Sequence, residues 1–238
     1  MPGISGFIDG AWATHLVRSS RYRAVGPGRI SPECRSHGRG YRHRAASGPH
    51  TSRRPFWASE CGPACIKFAV DETRLVAGLI LFGSLAKGCW APDHPHALQA
   101  DQYDAWRQQL VGEWGGPAGI DTFAPSLSRD LQARAWWAGL LRAASSPGGI
   151  WAVLKALRDT DVRHLLPRVS VPTLVLHRRN DRAVRIAAGR DMASQITGAQ
   201  FVELDGNDHW FFAGAQQPVL EAVKRFVSAL PRNRRPTR

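Results

Sequence analysis

Apolar positions in the C-terminal third of the chain follow two alternating periods. Val171 to Leu176 is a continuous apolar run rich in β-branched residues, entered through Pro172 and ended by the polar cluster Arg178-Arg179-Asn180-Asp181, the pattern of a strand buried on both faces. Over Ala183 to Ile196 the apolar residues Val184, Ala187, Ala188, Met192 and Ile196 recur at helical spacing, and Thr197-Gly198 closes the segment. Gln200 to Leu204 predicts a second strand, followed by Asp205-Gly206-Asn207-Asp208-His209. A strand, a helix and a strand in about thirty residues form a right-handed crossover whose two strands run parallel. Asp181 and His209 then leave the sheet at the same edge and face one crevice. An acid that orients an imidazole supplies two members of a nucleophile-activating triad.

The same alternation recurs upstream. From Phe56 the sequence FWASECGPACIKFAVDETRLVAGLILFGS predicts a turn, a helix from about Pro63 to Val70 and a buried strand from Leu75 to Phe82. Gly83 to Pro167 leaves the strand pattern. Asp101 to Trp114 carries Tyr103, Trp106, Leu110 and Trp114 at helical spacing, and Asp130 to Ala144 repeats this with Trp136, Trp137, Leu140 and Leu141. Ser146 offers an N-cap, with Pro147 at the first helical position, for Gly148 to Arg158. Gln217 to Leu230 predicts a last amphipathic helix stopped by Pro231. Residues 1–55 sustain no period after Val17, and their dispersed Gly, Pro, Ser, Arg and His predict a poorly ordered segment. The expected division is therefore a low-order segment over 1–57, an α/β body over 58–230 with a helical insertion at about 85–167, and a basic tail over 231–238.

Charge changes this picture only at the ends. Of the net +13, residues 1–58 hold ten Arg, no Lys and two acids, and residues 231–238 hold four Arg and no acid. The remaining 18 basic and 17 acidic side chains nearly cancel, so the body offers no basic face for nucleic acid and none is expected as a partner. With 43% hydrophobic residues and no apolar run near the roughly 18 needed to span a bilayer, the chain reads as globular and not membrane-bound. Cys34, Cys61, Cys65 and Cys89 form neither a disulfide framework nor a zinc spacing. Free thiols and the lack of an export signal in Met1 to Gly10 point to the cytoplasm. His94 and His96 are a closely spaced pair without a further ligand at metal spacing, expected on a solvated turn; no metal and no cofactor is expected. The tryptophans of the insertion, Trp90, Trp106, Trp114, Trp136, Trp137 and Trp151, either line a substrate pocket or pack the insertion on itself or on the sheet.

The segments VPTLVLHRRNDRAV and GAQFVELDGNDHW resemble the end of the α/β-hydrolase fold, where the triad acid and histidine stand in these two places. GSLAKGCWAPDHP and DVRHLLPRVSVPTLVLHRRNDR are similar to bacterial α/β-hydrolases found alone or joined to adenylate/guanylate cyclase domains. The likeness covers about residues 59–230 and implies a mostly parallel sheet with a helical lid. The family order of nucleophile, acid, histidine places the nucleophile at Ser59, in Trp57-Ala58-Ser59-Glu60-Cys61-Gly62-Pro63, with the Glu60 backbone as one oxyanion donor.

The family's G-x-S-x-G turn has lost both flanking glycines here, and Trp57 replaces the first. A tight turn built around glycine is therefore expected to be distorted. Cys61 at the following helix start is a substitute nucleophile two residues past the tip, and Asp208 is a second acid that adjoins the histidine and faces away. The family's oxyanion loop, often His-Gly, has only His37-Gly38 as a counterpart, too near Ser59 for the intervening strand, helix and strand. This implies an incomplete hydrolase fold, with a front segment of different origin and low solubility. The function implied is hydrolysis of a small-molecule ester or related acyl compound by Ser59, Asp181 and His209. The alternative is a hydrolase-like domain without activity, serving, if anything, as an interaction module.

Overall fold

Strands buried on both faces need covering layers on both sides, and the chain supplies them. In a computed structural model, which describes residues 56–58, by their backbone, and 61–231, four parallel strands pair in chain order. They are β1 (Phe56–Ala58), β2 (Leu79–Phe82), β3 (Thr173–Arg178) and β4 (Gln200–Leu204). The helices are α1 (Gly62–Asp71), α2 (Ala100–Gly112), α3 (Ile120–Phe123), α4 (Leu131–Ala144), α5 (Pro147–Arg158), α6 (Ile186–Ser194) and α7 (Gln217–Ala229). Period-two alternation sorts the strand residues. Leu79, Leu81 and Val175 pack with Ile66 and Ala69 of α1 and Met192 of α6 on one face. Ile80, Phe82, Leu174 and Leu176 meet Val219, Ala222 and Phe226 of α7 on the other. Each such buried aliphatic side chain contributes roughly 1.5–3 kcal/mol of burial free energy.

The parallel register sets Ala58 beside Phe82, Phe82 beside Leu176, and Leu176 beside Val202. The carboxyl ends of all four strands therefore open onto one edge, where open α/β sheets carry their sites.

Element boundaries differ from the sequence reading where local chemistry intervenes. Phe56–Ala58 is a strand where a turn is expected, and it crosses the boundary drawn at residue 58. The second strand begins at Leu79 rather than Leu75 because Thr73 to Leu75 form a 3-10 turn, in which the Thr73 hydroxyl donates to the Ala69 carbonyl at 3.0 Å. The third strand continues two residues past its apolar run, through His177 and Arg178, both buried. The short helix α3 and the 3-10 segment Arg163–Arg168 carry no periodic signal long enough to be read. Residues 1–55 and 232–238, with the expected low-order segment, Cys34, His37-Gly38 and the basic tail, lie outside the described residues.

Between β2 and β3 the helical insertion has cores of its own. Ile120, Ala124 and Trp137 are buried with Ala213, and Leu110, Ala118 and Leu154 form a second cluster with Trp106 and Trp114 against it. The Tyr103 hydroxyl donates to the Leu154 carbonyl at 3.0 Å, tying α2 to α5. Asp130 caps α4 by accepting from Gln132 N at 2.8 Å and Ala133 N at 3.0 Å, and Ser146 caps α5 by accepting from Gly149 N at 3.1 Å.

The solvated turn expected at His94 is not found. His94 is only 1% exposed, its Nδ1 stands 3.6 Å from Asp191 Oδ2, and its ring packs edge-on against His96. The lack of a partner at metal spacing suggested a solvated turn, but the loop folds in against α6, where Asp191 meets the ring from far along the chain.

Candidate active site

Asp181 follows β3 by three residues, and its own backbone turn fixes it. Oδ1 accepts the N–H groups of Ala183 at 2.8 Å and Val184 at 3.1 Å, an Asx-type turn that leaves one direction for Oδ2. Oδ2 lies 2.7 Å from His209 Nδ1 and 3.4 Å from His177 Nε2. Burial alone would raise this carboxyl. The His209 charge, with hydrogen bonds from His177 and His209, outweighs it and holds Asp181 well below the usual carboxylate range. An ionised Asp181 accepts only, so His209 Nδ1 carries a proton toward it, and in the neutral form of the ring Nε2 is the nitrogen with the lone pair.

His209 is 1% exposed, and Nε2 has no hydrogen-bond partner among the described residues. Its backbone N–H donates to the Phe123 carbonyl at 2.9 Å, and the Phe123 ring lies 5.6 Å from the imidazole, so the insertion packs directly on this residue. Gly83, just past β2, completes the wall. Its φ of 54° is left-handed, and a Cβ there would stand 3.1 Å from His209 Cε1 and 3.4 Å from Asp181 Oδ2.

The sequence reading did not single out His177 and Arg178, which end β3. Alternation sends them to opposite faces of the sheet. His177 Nε2 lies 2.8 Å from the Val184 carbonyl, and its ring fills the space that a side chain on Gly189 of α6 would need. Arg178, read as part of a polar cluster after the strand, is 1% exposed. It donates to the carbonyls of Asp208, Trp210 and Ala215 at 3.0, 3.0 and 3.1 Å and lies over the Phe82 ring. One buried guanidinium thus gathers the loop that presents His209. Polar residues at the carboxyl end of a fully buried strand were the available signal.

Asp208 is 2% exposed and faces Arg178 and the Ser126 N–H, which it accepts at 2.9 Å, and not the imidazole side. The tryptophans divide: Trp137 is 2% exposed and donates to the Ala118 carbonyl, whereas Trp90, Trp136 and Trp151 are partly exposed. Cys65 is buried, which pushes its thiol up and away from reactivity. Among the described residues no group of His, Cys, Asp and Glu could hold a metal ion. Ser59 and Glu60 lie outside the described residues, between the last residue of β1 and Cys61.

Residues 152–237 match the family model Abhydrolase_4, described as TAP-like protein. An esterase from Exiguobacterium antarcticum superposes with a TM-score of 0.71 at 20% identity, covering 82% of this chain and 74% of that one. This is an α/β-hydrolase fold. A bromoperoxidase from Bacillus anthracis shares it with a TM-score of 0.72 at 17% identity, over 90% of this chain and 85% of the other. The pimeloyl-[acyl-carrier protein] methyl ester esterase of Stenotrophomonas maltophilia (strain K279a) is 25% identical over 159 residues, 65% of this chain and 61% of the relative. The chain thus spans about three-fifths of the length of the curated relatives it matches.

Proposed function

We propose that the protein is a serine hydrolase of small-molecule esters or related acyl compounds, with Ser59 as nucleophile, His209 as general base and acid, and Asp181 as the group that orients the imidazole. The observation that carries this reading is the Asp181–His209 pair: Nδ1 is engaged at 2.7 Å, and Nε2 is left without a partner among the described residues. The β1 register adds support. Ala58 ends beside Phe82, the residue before Gly83, and Gly83 backs onto the imidazole. One Cα step of about 3.8 Å separates Ala58 from Ser59.

In this mechanism His209 Nε2 takes the Ser59 hydroxyl proton as Oγ attacks the ester carbonyl. The oxyanion that forms is met by the Glu60 backbone N–H, and His209 returns the proton to the departing alcohol. Water, activated in the same way, then releases the acid. The helical insertion acts as a lid, with Phe123 over the histidine excluding water from that side. The curated relatives are named as methyl ester esterases, which makes short methyl and p-nitrophenyl esters the first substrates to test.

The alternative, an inactive hydrolase-like domain, is favoured by one feature, Trp57 in the place of the elbow's first glycine. A fluorophosphonate probe separates the two readings. The hydrolase labels in the full chain and loses labelling in Ser59→Ala. No labelling, or equal labelling of the variant, leaves the inactive domain.

A further inference from the structure

The acid of the site is held by a third side chain that the proposed reaction does not use. His177 ends the inner face of β3 with its side chain fully buried, and its Nε2 stands 2.8 Å from the Val184 carbonyl and 3.4 Å from Asp181 Oδ2. A carbonyl oxygen only accepts, so Nε2 carries a proton and donates, shared between that oxygen and the carboxylate. Val184 is doubly placed. Its N–H donates to Asp181 Oδ1, while its carbonyl accepts from His177. The imidazole therefore closes a ring of hydrogen bonds through the turn that carries Asp181. Its other nitrogen has no partner among the described residues and lies against Gly189, where a Cβ would come within 2.4 Å of Nδ1. A helix residue without a side chain is what lets the ring enter.

We propose that His177 is a positioning residue: its Nε2–H holds the 181–184 turn and Asp181 Oδ2 so that the carboxylate meets His209 Nδ1. The proposal rests on reading Asp181 and His209 as the reacting pair. Oδ2 accepts from both imidazoles, the short contact going to His209 and the longer one to His177, so His177 aligns the anion without competing for its place. Without that donor the turn keeps its two N–H bonds to Oδ1 but loses the bond that fixes Val184, and Oδ2 is free to rotate away from His209. A packing role alone would need no N–H at this point, and an apolar ring would fill the space as well.

Among the described residues the charged groups around the pair are few. Arg178 comes from the same strand and acts on Asp181 through space, and Asp208 in the histidine loop is turned to Arg178 and Ser126 N. The insertion contributes the Phe123 ring, and α6 contributes Gly189 at the point of contact. A change in the His209 titration after substitution at 177 is therefore read through Asp181.

The experiment compares the full-length wild type, His177→Phe and His177→Gln, with 15N-labelled histidine and the His209 resonances identified by their loss in His209→Gln. Glutamine places an amide N–H near the position of Nε2, and phenylalanine fills the space without a donor. The expected result is a His209 midpoint lowered by about half a pH unit or more in His177→Phe, because its imidazolium loses an aligned anion, and restored in His177→Gln. Ester turnover in His177→Phe is expected to fall tenfold or more, on the order of 10²-fold at most, mainly in kcat. A His209 midpoint that is unchanged or raised in folded His177→Phe overturns the proposal, as does a lowered melting temperature with no change in midpoint. Should His177→Phe fail to fold, Gly189→Ala against His177→Gln repeats the comparison, since the added methyl displaces the ring while keeping its chemistry; a midpoint lowered in Gly189→Ala supports positioning and an unchanged one overturns it. Absence of turnover in the wild type would remove the hydrolase reading but leave the His209 midpoints to decide this one.

Discussion

Gly83 shows how little room the site leaves around its two titrating side chains. Its left-handed φ of 54° costs an alanine about 1 kcal/mol or somewhat more, and the added Cβ would press on His209 Cε1 and Nδ1 at 3.1 and 3.2 Å. The backbone cost is global, but the steric cost falls on the imidazole, because the Gly83 N–H is already held by the Leu176 carbonyl at 2.9 Å. Gly83→Ala is therefore expected to fold with a melting temperature a few degrees lower and to lose fluorophosphonate labelling on the order of 10²-fold. Labelling at the wild-type rate would show that the imidazole need not stand where Gly83 puts it. Asp181→Asn tests the partner: Nδ1 would then face an amide instead of an anion, and labelling is expected to fall by on the order of 10⁴-fold.

At the level of elements, the decisive one is β3. Its apolar run announced a buried strand, and the crossover rule brought Asp181 and His209 to one edge from sequence alone. What stayed hidden was that the strand continues into His177 and Arg178, because burial of a polar residue depends on partners far along the chain: Val184 for one and the 208–215 loop for the other. A hydropathy pattern stops where side chains turn polar, whereas the ladder stops where hydrogen bonds run out, and here the pairs His177–Glu203 and Arg178–Leu204 extend it. The short elements of the insertion were missed for a related reason: four-residue α3 has no room for a period, although Phe123 at its end covers the imidazole. Ser146 marked the start of α5 in advance, whereas Asp130, read as the first residue of its helix, is the cap of α4. For Arg178→Met the expectation is a loss of about 3 kcal/mol in chemical denaturation, since three carbonyls of the loop lose their charged donor together. A loss under about 1 kcal/mol would mean that the loop is held by other contacts.

For the whole molecule, burial of titrating groups links stability to pH in two separate windows. His94 is held below its ordinary range by burial, only partly offset by Asp191, while His96, Arg163 and Lys87 act in the same direction as burial. Folded His94 therefore resists a proton that the unfolded chain accepts below about pH 6.5, so stability is full above that value and falls as pH drops through the histidine range. Asp181 acts lower down. Its depressed carboxyl stabilises the fold above the unfolded value of about 3.9 and loses that contribution as pH falls toward its folded value. The two are separable by substitution. Urea unfolding of His94→Leu between pH 5 and 6.5 is expected to show a flatter dependence than the wild type, with the slope below pH 4 unchanged, because a leucine fills the buried site and titrates nowhere. Asp181→Asn is expected to flatten the dependence below pH 4, where the wild-type carboxylate takes up its proton. If His94→Leu keeps the wild-type slope between pH 5 and 6.5, the buried histidine is not what couples the entry loop of the insertion, and its packing on α6, to acid.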